Sequence, residues 1–361
     1  MPSSEHRNLT FSQAIREGLD QAMEMNNRVI VVGEGVPDPK SIFNTTAGLR
    51  EKYGSKRVFD MPVSENGMTG ICIGAAISGL RPVMVHQRID FAMLAMDQLV
   101  NNAAKWSYMF DGKATVPIVV RMLIGRGWGQ GPQHSQSLQA IFAHVPGLKV
   151  VMPVTARDSK GMLIGAIEDE NPVMFIEHRW LYHISDVVPE DYYLSNLDKA
   201  RIMVEGSDVT IAAFSYMAVE SLIAAKALSL IGINAEVIDM RSVKPLDIGT
   251  VQYSVKKTGR LIVADTAHQT GSVAGELVSQ ITECAFSDLK CRPLRIALPD
   301  HPAPTSHFII KSFYPGPEKI IDAVIELTGT KMSSVDHDVL SASLKDNNLH
   351  DVPNHDFKGP F

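Results

Sequence analysis

Alternating strand-like and helical patterns constrain the fold of this chain more than any other feature. In the first half, helical patterns at 91–109 and 155–169 alternate with apolar runs that are typical of buried strands, at 28–33, 82–85, 117–123, 148–153 and 172–177. Strands that alternate with helices favour a mostly parallel sheet with helices on both faces. The sequence therefore predicts an α/β fold with a doubly wound sheet.

A polar connector and a second alternating set predict two domains. After Tyr182 the periodicity lapses through residues 185–196, which are polar and include a proline. Strand-like and helical runs then resume at 208–214, 217–231, 234–240, 248–257, 260–264, 272–284 and 294–298. We expect one doubly wound domain at 1–190 and a smaller one of the same class at 200–330. The polar segment 331–361 is expected to be a flexible or partner-ordered tail.

Composition argues against several classes of protein. The 361 residues are 45% hydrophobic and 20% charged, which suits a globular chain with two cores. A formal net charge of -6 gives no reason to expect nucleic acid or an anionic membrane as a partner. The N-terminus lacks the apolar core of a signal peptide, and no apolar run reaches transmembrane length.

Cysteine usage indicates a reducing compartment. Cys72, Cys284 and Cys291 are too few and too scattered for a disulfide framework or a metal site. We expect a cytoplasmic protein, or one in an organelle matrix if a targeting segment has been removed.

Glu65 is the most informative single residue. Residues 58–63 are typical of a short buried strand, 66–67 of a turn, and 68–80 of a helix rich in small residues. Glu65 would then lie at the carboxyl end of a strand, where open α/β sheets bind their ligands. An unpaired carboxylate there is costly to ionise and becomes a candidate acid or base. A glutamate that only complements the helix dipole is equally compatible with this position.

A glycine-rich loop leads into a second candidate, His134. Residues 125–131 contain four glycines and can wrap a ligand, and a histidine at the end of such a loop suits proton transfer or anion binding. A histidine that caps the next helix is an equally good interpretation. The segment Gly33-Glu-Gly35 follows a strand but lacks the third glycine of a dinucleotide site.

Several blocks in order resemble one family. From about residue 9 to 329, the chain resembles the beta subunit of thiamine-diphosphate-dependent 2-oxo acid dehydrogenases. The blocks are Met61-Pro-Val-Ser-Glu65-Asn-Gly, residues 95–105, Gln133-His-Ser-Gln136, residues 146–151, 166–172 and 237–247. The resemblance implies a transketolase-like pyrimidine-binding domain followed by a transketolase C-terminal domain.

The resemblance assigns roles to individual residues. The glutamate matching Glu65 hydrogen-bonds the aminopyrimidine of thiamine diphosphate and so activates its thiazolium carbon, which attacks the 2-oxo acid. His134 matches a histidine that faces the reaction centre and assists acyl transfer to a lipoyl group. Phe91 and Gln87 match positions beside the cofactor, although Phe91 is equally compatible with a plain core aromatic. Ile118, Ala166, Ile167, Asp169 and Asn171 match a structural potassium site, for which a simple helix-ending turn at 169–171 is the alternative.

The resemblance also implies partners. Enzymes of this class hold the diphosphate and Mg²⁺ with a Gly-Asp-Gly motif, which is absent from this sequence. An alpha subunit is therefore expected to supply that half of the site, in an α2β2 heterotetramer that feeds a lipoyl acyltransferase core. Residues 70–76 and 91–109 are the candidate contact surfaces.

Two segments depart from the family pattern. Residues 86–90 contain His86 and Arg88, which suit recognition of an anionic or hydroxylated substrate, or a solvated pair at a subunit interface. The tail after Thr330 is the second departure. Together they leave open a two-chain transketolase-like or acyloin-forming enzyme that passes its product to a non-lipoyl acceptor. A noncatalytic scaffolding subunit is the third possibility, which Glu65 and His134 disfavour.

Overall fold

The computed structural model describes residues 7–38, 42–125 and 130–344. These residues divide into two compact units, one made of 7–125 with 141–197 and the other of 130–140 with 198–344. The expected domains, 1–190 and 200–330, are each continuous in sequence. In the structure, residues 130–140 belong to the second unit, although they fall within the range expected for the first domain. Within the described ranges, every helix is too short or too polar to traverse a bilayer.

Fourteen strands and thirteen α-helices are assigned within the described residues. The strands are β1 (Asn8–Thr10), β2 (Val29–Gly33), β3 (Val58–Phe59), β4 (Arg81–His86), β5 (Val119–Ile124), β6 (Lys149–Val151), β7 (Val173–His178), β8 (Ser185–Val187), β9 (Arg201–Val204), β10 (Val209–Ala213), β11 (Ala235–Asp239), β12 (Ser242–Lys244), β13 (Leu261–His268) and β14 (Leu294–Leu298). The helices are α1 (Phe11–Met25), α2 (Leu49–Tyr53), α3 (Glu65–Ile77), α4 (Ile89–Ala92), α5 (Ala104–Met109), α6 (Gln139–His144), α7 (Ala156–Glu168), α8 (Met217–Ser229), α9 (Ile248–Thr258), α10 (Val273–Ala285), α11 (His307–Phe313), α12 (Pro317–Thr328) and α13 (Ser334–Ser343).

The first unit is built on a parallel sheet in the order β6-β7-β5-β4-β2-β3. Its strands β2, β4, β5 and β7 are buried along their whole length, as the continuous apolar runs predict. The chain runs from β2 outward to β3 and then returns to the other side of β2 as β4. The direction of strand addition therefore reverses between β2 and β4, which makes this the topological switch point of the sheet.

The second unit repeats the architecture on a smaller scale. Its sheet has the order β14-β13-β10-β11-β9, with β9 antiparallel and the other neighbours parallel. The prediction of two α/β doubly wound sheets is therefore confirmed.

Two local predictions were wrong in their details. The expected turn at residues 66–67 lies inside the first turn of α3, which begins at Glu65. The expected continuous helix at 91–109 is broken into α4, a 3₁₀ turn (Met93–Ala95), a π-helix (Gln98–Ala103) and α5. In the polar tail, residues 334–343 form α13, which buries Leu340 and begins with a capping box between Ser333 and Asp336. The rest of the tail, 345–361, lies outside the described residues.

Gly33 allows the two strands at the switch point to approach closely. A Cβ on Gly33 would lie 2.3 Å from the carbonyl oxygen of Val85 in β4. Because that neighbour is backbone in a buried sheet, it cannot move aside without disturbing the pairing of β2 with β4.

We predict that Gly33→Ala lowers the free energy of unfolding by about 1–3 kcal/mol, the usual cost of overpacking a core. The matched control is Gly74→Ala, because Gly74 is exposed in α3 and a Cβ there meets no atom within 4 Å. Chemical denaturation of both variants checks the difference. Equal stability of Gly33→Ala and the wild-type chain would contradict this account of the strand contact.

Candidate active site

The carboxyl ends of β2 and β4 flank the switch point of the first sheet. Glu34 follows β2, and Gln87 follows β4. The Gln87 amide Nε2 donates a hydrogen bond to the Glu34 carbonyl oxygen at 3.3 Å, so the two loops meet. This is the place where doubly wound sheets bind ligands.

Glu65 belongs to the same edge of the sheet. It is the first residue of α3, which follows β3, and it is only 6% exposed. Within the described part of the chain, its carboxylate accepts no hydrogen bond and pairs with no cation. A buried carboxylate without a donor is costly and indicates a group that waits for a ligand.

Glu34 is a second carboxylate in this cluster. Burial, followed by the negative charges of Glu65 and Asp60, raises the pKa of Glu34. Its Oε1 atom is buried and has no hydrogen-bond partner among the described residues. Asp60, by contrast, is used structurally, because its Oδ1 accepts from the backbone N–H groups of Gly35 (3.0 Å) and Met61 (2.9 Å).

Glu34 and Glu65 therefore present acceptor oxygens without donors. Such a pair suits a ligand that offers N–H groups, because each donor would satisfy one buried acceptor. Because burial and the neighbouring carboxylates raise the pKa of Glu34, this residue holds a proton more readily than an isolated glutamate. The cluster is thus suited to bind a nitrogen-rich ring and to exchange a proton with it.

The other predicted residues fall in different places. Phe91 lies in the short helix α4 and is half-buried, and its N–H donates to the carbonyl of Arg88 (3.3 Å). His134 lies in the second unit, at the end of a 3₁₀ turn (Pro132–His134), and is also half-buried. Glu65 and His134 thus belong to separate units. Residues 126–129 of the predicted glycine-rich loop lie outside the described residues.

A buried hydrogen bond anchors the segment that carries His134. Gln139 is fully buried, and its Nε2 donates to Oδ1 of Asp265 at 2.7 Å. Asp265 lies in β13 and also accepts from the N–H of Ala267 (3.2 Å) and of Ala274 (3.4 Å). Burial raises the pKa of Asp265 in spite of these donors. The sequence alone does not predict this pair, because nothing in it links residues 126 positions apart.

The residues of the predicted potassium site lie close together in the first unit. The Asp169 carboxylate accepts from the side chain of Lys149 and, at 2.8 Å, from both the N–H and the Nδ2 of Asn171. The Arg81 guanidinium donates to the carbonyl oxygens of Ile167 (2.8 Å) and Asp169 (3.1 Å). Carbonyl and carboxylate oxygens are suitable ligands for K⁺. In this structure, however, the side chains of Arg81 and Lys149 already occupy and neutralise some of these oxygens. Ile118 is buried just before β5, where its carbonyl oxygen accepts from the N–H of Val173 at 2.9 Å. Ala166 is buried in the last turn of α7.

Comparison with known proteins identifies the two units. Residues 7–184 match the family described as "Transketolase, pyrimidine binding domain", and residues 198–320 match "Transketolase, C-terminal domain". A chain named pyruvate dehydrogenase E1 component subunit beta from Rhizobium meliloti is 39% identical over 89% of this chain and 70% of its own length. The subunit beta of acetoin:2,6-dichlorophenolindophenol oxidoreductase from Bacillus subtilis is 39% identical over 90% of this chain and 98% of its own.

A solved structure supports the fold. It is described as a split gene transketolase, an inactive beta4 tetramer, and superposes with a TM-score of 0.73 over 90% of this chain and 100% of its own. Because the sequence identity is 21%, this similarity shows a shared fold and nothing further.

We predict that Glu34→Gln stabilises the chain, and more so at about pH 7.5 than at about pH 4, two values that lie above and below the ordinary glutamate pKa. The raised pKa of Glu34 means that the folded chain binds this proton more tightly than the unfolded chain. Its ionisation therefore costs stability as the pH rises through the folded-state pKa, and the amide removes that cost. Thermal unfolding at the two pH values measures the effect, with exposed Glu51→Gln as the control. A stabilisation that does not grow with pH would contradict the assignment.

Proposed function

Because the chain belongs to the beta subunits of thiamine-diphosphate-dependent 2-oxo acid dehydrogenases, we propose that it supplies the pyrimidine half of a shared cofactor site. With an alpha subunit, it would catalyse the oxidative decarboxylation of a 2-oxo acid, such as pyruvate or a branched-chain 2-oxo acid, with acyl transfer to lipoyl. The observation that carries this proposal is the buried carboxylate of Glu65 beside Glu34 at the switch point.

The carboxylate cluster fits the aminopyrimidine of the cofactor. An aminopyrimidine offers an exocyclic amine and, when protonated, a ring N–H, which are the donors that Glu65 and the buried Oε1 of Glu34 lack. When bound, thiamine diphosphate supplies a nucleophilic carbon that breaks the bond beside a 2-oxo group. The role of Glu65 is to hold a proton at the ring nitrogen, and Gln87 and Phe91 would close the pocket around the ring. His134 would hold or transfer a proton near the reacting carbonyl.

The remaining half of the site is proposed to come from the alpha subunit. A beta subunit implies an alpha-subunit partner, and the absence of Gly-Asp-Gly from this sequence supports placing Mg²⁺ and the diphosphate on that partner. We propose an α2β2 heterotetramer that delivers its acyl group to a lipoyl acyltransferase core. We further propose a reducing location, cytoplasm or organelle matrix, supported by three cysteines that form no disulfide.

Acetoin is the second candidate substrate. Relatives named as acetoin oxidoreductase subunits are 39% and 40% identical to this chain, which is as similar as those named for pyruvate dehydrogenase. A screen of pyruvate, branched-chain 2-oxo acids and acetoin with an artificial electron acceptor separates the candidates. Turnover confined to sugar phosphates would instead favour a transketolase-like enzyme with a non-lipoyl acceptor.

The variant Glu65→Gln tests the proposal. In the assembly with the alpha subunit, we expect the rate of 2-oxo acid decarboxylation to fall by at least about 100-fold, the scale of general acid–base catalysis. The amide is nearly isosteric, so the fold and the assembly should persist, which circular dichroism and gel filtration check. Exposed Glu51→Gln serves as the matched control. Decarboxylation at a near-normal rate by Glu65→Gln would refute the assigned role.

The proposed potassium site has its own test. Burial alone would raise the pKa of Asp169, but Lys149 and Asn171 together lower it, so the carboxylate is charged at neutral pH. We expect a higher melting temperature in KCl than in NaCl at the same concentration, and we expect Asp169→Asn to abolish the difference. Exposed Asp322→Asn should retain it. Identical melting of the wild-type chain in both salts would eliminate the site.

A further inference from the structure

The segment that carries His134 borders a cavity within the second unit. This cavity of about 440 Å³ is lined by four residues that flank His134 in sequence, and also by the ends of β13 and β14, the loop after β14, and α11. The four flanking residues are Pro132, Gln133, Ser135 and Gln136. A backbone beside a cavity lacks packed atoms on that side. The position of His134 therefore depends strongly on how the two ends of its segment are held.

Gly131 holds the first end of the segment against the loop that follows β14. Its φ angle is +65°, a left-handed conformation that glycine adopts without strain. A Cβ at this position would lie 2.8 Å from Oγ1 of Thr305. The absence of a side chain at Gly131 thus permits a close approach of the two segments.

Gln139 holds the other end. It is the first residue of α6 and is fully buried, and its Nε2 donates to Oδ1 of Asp265 at 2.7 Å and to Oγ1 of Thr266 at 3.2 Å. Asp265 is also fully buried, in β13, and its other oxygen accepts from the N–H of Ala274 at 3.4 Å. One carboxylate therefore joins β13, the first turn of α10 and the segment that carries His134.

The contact between Gln139 and Asp265 is costly for a buried pair. The Oε1 of Gln139 is buried and has no hydrogen-bond partner within the described ranges. Burial raises the pKa of Asp265, because its donors only partly replace the lost water. Apolar side chains of similar volume would avoid both costs, so the pair is better explained by the one geometry that it enforces than by its net contribution to stability.

We propose that Gln139 and Asp265 are positioning residues whose hydrogen bond fixes the place of the His134 imidazole for the reaction. This inference rests on the proposed function, in which His134 holds or transfers a proton near the reacting carbonyl. Such a transfer requires a separation of about 2.6–3.2 Å between the heavy atoms. A displacement of about 1 Å can slow a reaction by about 100-fold, even when the altered residue is distant from the substrate.

The variant Gln139→Leu, assembled with the alpha subunit, tests the proposal. We expect kcat for 2-oxo acid decarboxylation to fall by about 10- to 100-fold with little change in KM, because contacts with the bound substrate persist. Asp265→Asn should retain a kcat near that of wild type, because its Oδ1 can still accept from Gln139. A normal kcat in Gln139→Leu would overturn the proposal.

Gln252→Leu is the matched control. Gln252 lies in α9, and its Nε2 donates to the carbonyl oxygen of Cys284 at 3.0 Å. The control removes a hydrogen bond from the same unit by the same substitution, and we expect an unchanged kcat. A loss of kcat in Gln252→Leu as large as in Gln139→Leu would mean that the effect is not specific to the segment, and the proposal would fail.

A double variant separates positioning from stability. Gln139→Leu leaves the Asp265 carboxylate without its shortest hydrogen bond, so the melting temperature should fall. Adding Asp265→Asn removes the buried charge, and the melting temperature should rise again. We expect kcat to stay low in the double variant, because the hydrogen bond is still missing. Recovery of kcat together with the melting temperature would show a purely structural role and contradict the proposal.

Hydrogen exchange followed by mass spectrometry needs no catalysis. In the full-length chain, amides of residues 130–138 should exchange faster in Gln139→Leu than in wild type or Gln252→Leu, while those of β10 and β11 remain unchanged. Equal exchange in all three chains would refute the anchor. If the wild-type assembly turns over no 2-oxo acid, the proposed function fails by itself, and the exchange measurement still decides whether Gln139 anchors the segment.

Discussion

The close approach of β2 and β4 is the constraint on which the rest of the site depends. Gly33 leaves room for the Val85 carbonyl where a side chain would collide with it. The two strands lie side by side at the point where the chain reverses its direction across the sheet, and their carboxyl ends deliver Glu34 and Gln87 to one place. Glu65 arrives from β3 and completes a group of acceptors that no described side chain satisfies.

Strand geometry positions the acidic cluster at this edge of the sheet. Residues alternate between faces along an extended strand, so the end of β4 directs Gln87 toward Glu34. The cluster of Glu34 and Glu65 opposes folding, because like charges repel and buried polar groups lose their water. Proteins retain such costs mainly at functional sites, where a ligand later supplies the missing partner. The acidic cluster suits a nitrogen-rich ring.

The sequence was sufficient for the architecture and for part of the site. Buried parallel strands have continuous apolar runs, so β2, β4, β5 and β7 were predicted close to their observed bounds. Glu65 was identified because a charged residue between a buried strand and a helix is conspicuous. Glu34 carries the same signal, directly after β2, but it was considered only as part of an incomplete dinucleotide motif.

Other features depend on contacts that a linear pattern does not contain. The grouping of residues 130–140 with the second unit involves Gln139 and Asp265, which meet only in the folded chain. The π-helix Gln98–Ala103 interrupts a segment whose apolar periodicity predicts one continuous helix. The sequence leaves the role of Arg88 open between a substrate and an interface, because it does not reveal that this side chain is buried and that its Nη1 has no hydrogen-bond partner among the described residues.

The central claim is that this chain holds half of a thiamine diphosphate site and completes it only with an alpha subunit. Calorimetric titration of thiamine diphosphate and Mg²⁺ into the chain alone, and then into its complex with the alpha subunit, tests this claim most directly. The account predicts no measurable binding to the single chain and saturable binding, one cofactor for each beta subunit, to the complex. Full-affinity binding by the chain alone would contradict it.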